Sequence, residues 1–403
     1  MESPFLFVDE IEVSGKNVLL RLDVNVPLAG GKVSDDTRIQ RILPGVKALQ
    51  QAGARIIILT HFGRPKGKPV PEFSVSPVAQ HMADLLGCSV PVEPDVIGAG
   101  GKAAVAALGN GDILMMENLR FYPGEETNDS EFAAALAALG DIYVGDAFSC
   151  THRAHASVEA LPRCMEVAAA GHALGAELAA LDAALRAPKR PLAAVVGGAK
   201  VSTKLAVLEN LVSKVDALWL GGGMANTFLL AQGHDMGVSL VEIDMVETAR
   251  AIMKKAEDVG CHIGLPTDAV MATGFAENAE SRVASVTDVK ANEMILDAGP
   301  QSANAAVAYL GNCRTVIWNG PMGAFEITPF DAATNTIAAA VGKQSASGQL
   351  VSVAGGGDTL AALANAGVSD QFSYMSTAGG AFLEWLEGKT LPGVEALRKR
   401  KTN

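Results

Sequence analysis

Short runs of β-branched or apolar residues alternate with longer stretches of helical period from one end of the chain to the other. In the first half the strand-like runs fall at residues 17–22, 55–60, 112–117 and 141–146. The second half adds 191–196, 217–220, 262–265, 315–318, 349–353 and 372–375. Between them lie helical patterns such as 201–212 and 302–310. This alternation predicts βαβ units and mostly parallel sheets covered on both faces. Ile56-Ile57-Ile58-Leu59 is apolar throughout, as a strand buried on both faces should be. Residues 173–185 form a long apolar helix pattern, which Ala187-Pro188-Lys189-Arg190-Pro191 breaks before a new strand begins. The chain therefore divides near its middle.

Length and composition agree with two domains. At 403 residues the chain exceeds what one ordinary core holds, and 49% hydrophobic against 19% charged residues allows large cores. Met1-Glu2-Ser3-Pro4 lacks the basic-then-apolar order of a signal peptide, and the alanine-rich stretches are too short to span a bilayer. The five cysteines form no CxxC pair and no zinc spacing, so reduced thiols, a cytoplasmic location and no membrane partner are expected. A net charge of −12 argues against nucleic acid as a partner, because such binding depends on neutralising phosphates. The basic run Arg398-Lys399-Arg400-Lys401 reads as a solvated tail.

Ligands of open α/β sheets bind at the carboxyl ends of strands. In the first half those ends carry bases: Arg21 and Asp23 to Asn25, His61 to Arg64, Asn118 to Arg120, and Arg153 beyond Asp146, with Arg38 in the first turn of a helix. Guanidinium groups pair bidentately with phosphate and carboxylate, which suits a small, highly anionic ligand. In the second half the ends carry glycines: Gly197-Gly198-Ala199-Lys200, Gly221-Gly222-Gly223, Asn319-Gly320-Pro321-Met322-Gly323 and Gly355-Gly356-Gly357-Asp358. Glycine turns running into helices suit backbone cradling of nucleotide phosphates.

Lys200 and Lys204 are expected on one face of a helix N-terminus, where cations oppose the dipole and only an anion site benefits. The spacing is not that of a P-loop. Asp358 reads as an N-cap, as an oxygen ligand for Mg²⁺, or as both. Glu326 reads as a solvated acid or as an acceptor for ribose hydroxyls. His81, His172, His234 and His262 have no motif around them and read as structural.

At this point the chain resembles the phosphoglycerate kinase family along nearly its whole length. The resemblance rests on RLDVNVP (21–27), DDTRI (35–39), THFGRP (60–65), ENLRF (117–121), THRAHAS (151–157), GGAKVSTK (197–204), GGGMANTF (221–228), WNGPMGAFE (318–326), GGGDT (355–359) and LPGVEAL (391–397). It departs from the family pattern at Phe148-Ser149-Cys150, at Ile295 and at Ala378.

The resemblance implies an α/β fold of two doubly wound, parallel-sheet, Rossmann-like domains facing a cleft and joined by a hinge helix. Residues 1–172 would bind phosphoglycerate and residues 173–388 the nucleotide, with the tail 389–403 returning to the first domain. It implies Asp23, Asn25, Arg38, His61, Phe62, Gly63, Arg64, Arg120 and Arg153 as the phosphoglycerate site. Gly198, Ala199, Lys204, Gly222, Asn319, Glu326, Gly355, Gly356, Gly357, Asp358 and Thr359 would form the nucleotide site. Arg38, Lys200 and Lys204 would meet the phosphoryl group in flight, with Asp358 as the Mg²⁺ ligand and ATP or ADP as co-substrate.

The implied reaction is reversible transfer between 1,3-bisphosphoglycerate and ADP by a monomer. Its acceptor carboxylate is already ionised at pH 7, so no general base is needed. Two rivals carry different signatures. A carboxylate kinase acting on an amino acid would show an acid for the ammonium group, whereas the first-half cluster is basic. A non-catalytic nucleotide-binding scaffold would tolerate loss of Lys200 or Arg38, and both are present.

Overall fold

The computed structural model describes residues 3–399 and divides the chain into two compact units. The first comprises Met1–Leu178 with Thr390–Asn403, and the second Ala179–Lys389.

In the first unit the strands are β1 (Asn17–Leu22), a small hairpin of β2 (Leu28–Ala29) and β3 (Lys32–Val33), then β4 (Arg55–Leu59), β5 (Val92–Glu93), β6 (Ile113–Met116), β7 (Ile142–Asp146) and β8 (Val167–Ala170). Six of these form one parallel sheet in the order β5-β6-β4-β1-β7-β8. From Val18 to Leu22, and from Ile56 to Leu59, every residue is buried, because helices cover both faces of the sheet. The Thr37–Gln51 helix contributes Ile39, Leu43 and Val46 to the core on one face. Strand order reverses around β1, whose neighbours are β4 and β7. A crevice at the carboxyl ends is expected there.

The second unit contains β9 (Leu192–Val196), β10 (Ala217–Leu220), β11 (His262–Gly264), β12 (Asp268–Ala272), β13 (Ser281–Ser285), β14 (Met294–Ala298), β15 (Thr315–Asn319), β16 (Val351–Gly355) and β17 (Tyr374–Ser376). The parallel sheet runs β11-β10-β9-β15-β16-β17 and reverses direction between β9 and β15. Strands β13-β12-β14 make a separate antiparallel sheet that the strand–helix alternation did not predict.

The expected boundary after residue 172 differs from the observed division, which falls inside the His172–Leu181 helix. The first turns of that helix stay with the first unit. Leu174 is buried and its N–H donates to the Asp146 carboxyl at 2.7 Å, while Gly175 lies against the Phe7 ring. The helix expected over 173–185 ends at Leu181 and continues as a wider π-helical turn, Asp182–Arg186. From Thr390 the chain packs on the first unit. The Gly393 N–H donates to the Thr151 carbonyl at 2.9 Å, and the Lys399 N–H to the Pro4 carbonyl at 2.8 Å. Part of the expected basic tail, from Arg400 on, lies outside the described residues.

Candidate active site

In the first unit the carboxyl ends of β1, β4 and β6 are wired together by two asparagines. Asn118 follows β6 and is wholly buried. Its Oδ1 accepts the N–H groups of Phe62 and Arg120, both at 3.1 Å, and its Nδ2 donates to the carbonyls of Phe62 and Phe73 at 2.6 and 2.8 Å. Asn25 Oδ1, beyond β1, accepts the Gly63 N–H at 3.0 Å. Gly63 has φ +59°, and a Cβ there would lie 2.3 Å from the Phe73 ring, so only glycine fits.

On this frame stand the bases. Arg120 donates to the Gly63 carbonyl at 2.7 Å and pairs with Glu126 at 3.3 Å. Arg38, second residue of its helix, pairs with Asp23 at 2.9 Å, and Ser149 also donates to Asp23. Burial, followed by the charges of Arg21, Arg120, His155 and Arg153, holds the His61 imidazole well below its usual pKa. Burial, then Arg120, Arg21, Arg153 and His152, pull His155 down to about 4. Thus His61, Arg120 and Arg153 act electrostatically on one another, while Arg64 is exposed on the turn beyond.

Arg21, read as a strand-end base, and His155 were not assigned to the phosphoglycerate site, yet both belong to this cluster. Arg21 is 1% exposed and bonded to His61. The available signal was a lone charge inside the otherwise apolar strand Asn17–Leu22.

Asp23, His61 and Cys150 bring three potential metal-ligand atoms within 4.8 Å of one another. Arg38 and Ser149 already occupy the Asp23 carboxylate, and Arg21 faces the His61 ring nitrogen. Surrounded by guanidinium groups, this trio is a poor cation site.

In the second unit the site is built from backbone. A Cβ on Gly197 would lie 1.7 Å from the Pro321 carbonyl oxygen, so the turns after β9 and β15 touch directly. Asn319 Nδ2 donates to the Gly355 carbonyl at 2.7 Å, and Thr359 Oγ1 accepts the Gly320 N–H at 2.7 Å, joining the turns after β15 and β16. A pocket of about 470 Å³ opens beside these turns. Gly198, Ala199, Gly222, Glu326 and Asp358 line it, together with apolar residues such as Leu240, Phe275 and Leu296. The antiparallel sheet supplies one wall through Met294 to Ala298 of β14. A mostly apolar cleft with convergent backbone donors is the usual form of a nucleotide or cofactor site.

The two lysines do not share a helical face. Residues 201–204 form a turn closed by the Lys204 N–H on the Val201 carbonyl at 2.9 Å, and the helix starts only at Leu205. Glu242 ties that turn down by accepting the Ser202 N–H and hydroxyl at 3.0 and 2.5 Å. Lys200 is exposed, whereas Lys204 folds back so that Nζ donates to the carbonyls of Gly197 at 2.7 Å and Asn319 at 2.9 Å. Burial pulls the Lys204 pKa down to about 8, with Asp358 partly opposing it.

Nor is Asp358 an N-cap. The cap of the Gly357–Asn365 helix is Gly356, at φ +101°, and Asp358 is the second helical residue, exposed and without a capping bond. A residue two positions past the cap does not bond the free amides as a capping side chain does. Among the described residues no helix is long and apolar enough to cross a membrane.

Comparison with known proteins supplies an independent line. Residues 8–389 match the family described as phosphoglycerate kinase. The phosphoglycerate kinase of Methylorubrum extorquens is 55% identical over 96% of this chain and 96% of its own length. That of a Ruegeria species is 55% identical over 97% of this chain and 98% of its own. The structure of phosphoglycerate kinase from Coxiella burnetii superposes with a TM-score of 0.93 at 43% identity, covering 98% of this chain and 99% of that one. The enzyme from Pyrococcus horikoshii gives 0.78 at 28% identity, covering 97% and 98%.

Proposed function

The chain belongs to the phosphoglycerate kinase family, transferring a phosphoryl group reversibly between 1,3-bisphosphoglycerate and ADP to give 3-phosphoglycerate and ATP, and from this premise we propose how its residues divide the work. The basic cluster of the first unit holds the phosphoglycerate through Asp23, Asn25, Arg38, His61, Phe62, Gly63, Arg64, Arg120 and Arg153. The pocket of the second unit holds ADP or ATP. Its phosphates would meet the turns at Gly198 and Ala199, Gly222, Asn319, Lys204 and Gly355 to Thr359, and Glu326 would accept from the ribose. One observation carries this division. Arginine-bearing ends in one sheet and glycine-bearing ends in the other each lie where strand order reverses, the position at which such sheets bind ligands.

When ATP is consumed the attacking group is the carboxylate of 3-phosphoglycerate, ionised at pH 7 without help from a base. The remaining work is positioning and neutralisation of charge on the transferring group. Arg38 serves from the phosphoglycerate side, and Lys200 and Lys204 from the nucleotide side. Arg38 is half-buried and already oriented by Asp23, so less conformational freedom is lost on binding. Mg²⁺ fits the donors present: Asp358 offers one exposed carboxylate at the pocket rim, and this ion commonly combines one or two carboxylates with substrate phosphates. It would screen the nucleotide's negative charge. Because each substrate is bound by a different unit, transfer would require the units to close about a hinge and exclude water. A cytoplasmic monomer is the working form in this reading.

The test is a coupled assay with 3-phosphoglycerate and Mg-ATP on Arg38→Ala and Lys200→Ala. Each should lower kcat by on the order of 10²-fold or more, as loss of one transition-state donor does. An unchanged kcat in either variant would remove that residue from the transferring group.

A further inference from the structure

His61 lies at the floor of the basic cluster, and what bonds to its ring decides what it can offer a ligand. Its Nδ1 stands 3.1 Å from a terminal guanidinium nitrogen of Arg21. A guanidinium has donors and no acceptor, so Nδ1 must be the accepting nitrogen and the ring proton must sit on Nε2.

Arg21 is itself held from behind. Its Nε donates to Ser157 Oγ at 2.8 Å, and a second nitrogen bonds the Leu22 carbonyl. Ser157 in turn gives its hydroxyl to Glu125 Oε1 at 2.6 Å and its N–H to Oε2 at 2.9 Å, while Tyr143 donates to the Ser157 carbonyl at 2.9 Å. Arg21, Glu125 and Ser157 are each at most 1% exposed. A guanidinium can be buried so deeply because the Glu125 carboxylate offsets its charge through Ser157.

We infer that Arg21 is a positioning residue that holds His61 as a neutral Nε2–H donor for the bound phosphoglycerate, so that this histidine orients the substrate and adds no charge. The inference rests on the placement of His61 in the phosphoglycerate site proposed above. Every charged or titratable neighbour agrees with it. Arg21, Arg120, Arg153 and His155 all disfavour a second proton on the ring. Cys150, 4.0 Å from Nδ1, is buried and its thiol is pushed up, so it brings no thiolate. Asp23 is already engaged by Arg38 and Ser149.

The test is ring nitrogen–proton correlation NMR on the full-length protein from pH 5.5 to 8, with the His61 signals assigned by their loss in His61→Gln. The expected result is a single neutral Nε2–H tautomer that does not titrate. An Nδ1–H tautomer, or protonation near pH 6.5, overturns the inference. Arg21→Gln, which can still donate one hydrogen bond, should keep the tautomer, let His61 begin to titrate, and raise KM for 3-phosphoglycerate about tenfold at unchanged KM for ATP. If that variant does not fold, the wild-type spectrum alone decides. Unchanged KM for 3-phosphoglycerate in His61→Gln would instead defeat the placement of His61 in the substrate site, with the tautomer still standing.

Discussion

In the proposed division of work the two sites would solve the same problem, holding phosphate, with different materials. In the first unit the charge is on side chains, and the backbone is only a frame: Asn25 and Asn118 tie three strand ends together so that Arg38, Arg120 and His61 stand at fixed places. In the second unit the backbone itself would be the binding surface, and the turns approach so closely that Gly197 meets the Pro321 carbonyl with no room for a methyl group. A site made of arginines should lose function residue by residue. A site made of glycines should fail all at once, in stability and binding together.

The harshest way to break this comparison is Gly197→Ala. The added methyl must displace the turn after β15, and overpacking of this kind costs about 1–3 kcal/mol, occasionally more. Unfolding temperature and ADP affinity should both fall, while 3-phosphoglycerate binding to the first unit persists. Normal ADP affinity in this variant would mean that the turns are not the binding surface. Next in size is Arg120→Lys. An ammonium cannot reach the Gly63 carbonyl and Glu126 together with the fixed fork of a guanidinium. KM for 3-phosphoglycerate should rise roughly 10- to 100-fold with ADP affinity unchanged. Equal loss on both substrates would erase the distinction between the sites.

Where the sequence was legible, a single physical signal dominated. Asn17–Leu22 and Ala217–Leu220 are found at their full expected length, because a mostly apolar run of strand-forming residues, broken in the first only by Arg21, leaves one choice. The antiparallel sheet of the second unit escaped because its strands are short of that signal. Ser281–Ser285 alternates exposed and half-buried positions, and its Val283 is 54% exposed. Val167–Ala170 is mostly alanine and reads as helix.

The functional residues followed the same rule. Bases at the ends of apolar strands stood out, Arg21 among them, but its role was hidden because its partners Ser157 and Glu125 lie more than 100 residues away in sequence. The turn before Lys204 contains neither glycine nor proline, so nothing in residues 201–204 announced that the helix would start late.

A milder probe separates charge from backbone within the nucleotide site. Asp358→Asn should weaken Mg-ADP binding about tenfold, as loss of one interaction with a charged group does. It should leave thermal stability almost untouched, because Gly356 and not Asp358 caps the helix. A fall in stability with constant Mg-ADP affinity would show that the carboxylate serves the fold.

The smallest effect is the most direct reading of how the glycine site holds charge. Among the described residues Lys204 is its deeply held cation, and burial lowers its pKa from the ordinary 10.5 to about 8. At pH 7 the amine is therefore mostly protonated, but near pH 8 it is divided between its two forms. Nucleotide phosphates entering the pocket favour the charged form and push the pKa back up. ADP binding at pH 8 should then take up about half a proton, and at pH 7 close to none.

Calorimetric titrations in two buffers of different ionisation enthalpy measure this directly, and Lys204→Met should abolish the uptake. The same shift fixes the sign of the pH dependence without ligand. Because the folded-state pKa lies below the unfolded one, the charged lysine penalises the fold fully below pH 8. That penalty fades as the pH climbs from about 8 to 10.5. Relative to Lys204→Met, the wild-type protein should gain stability over that interval. Proton release on binding would mean that Lys204 meets no phosphate, and a stability difference that does not change with pH would mean that burial does not depress its pKa.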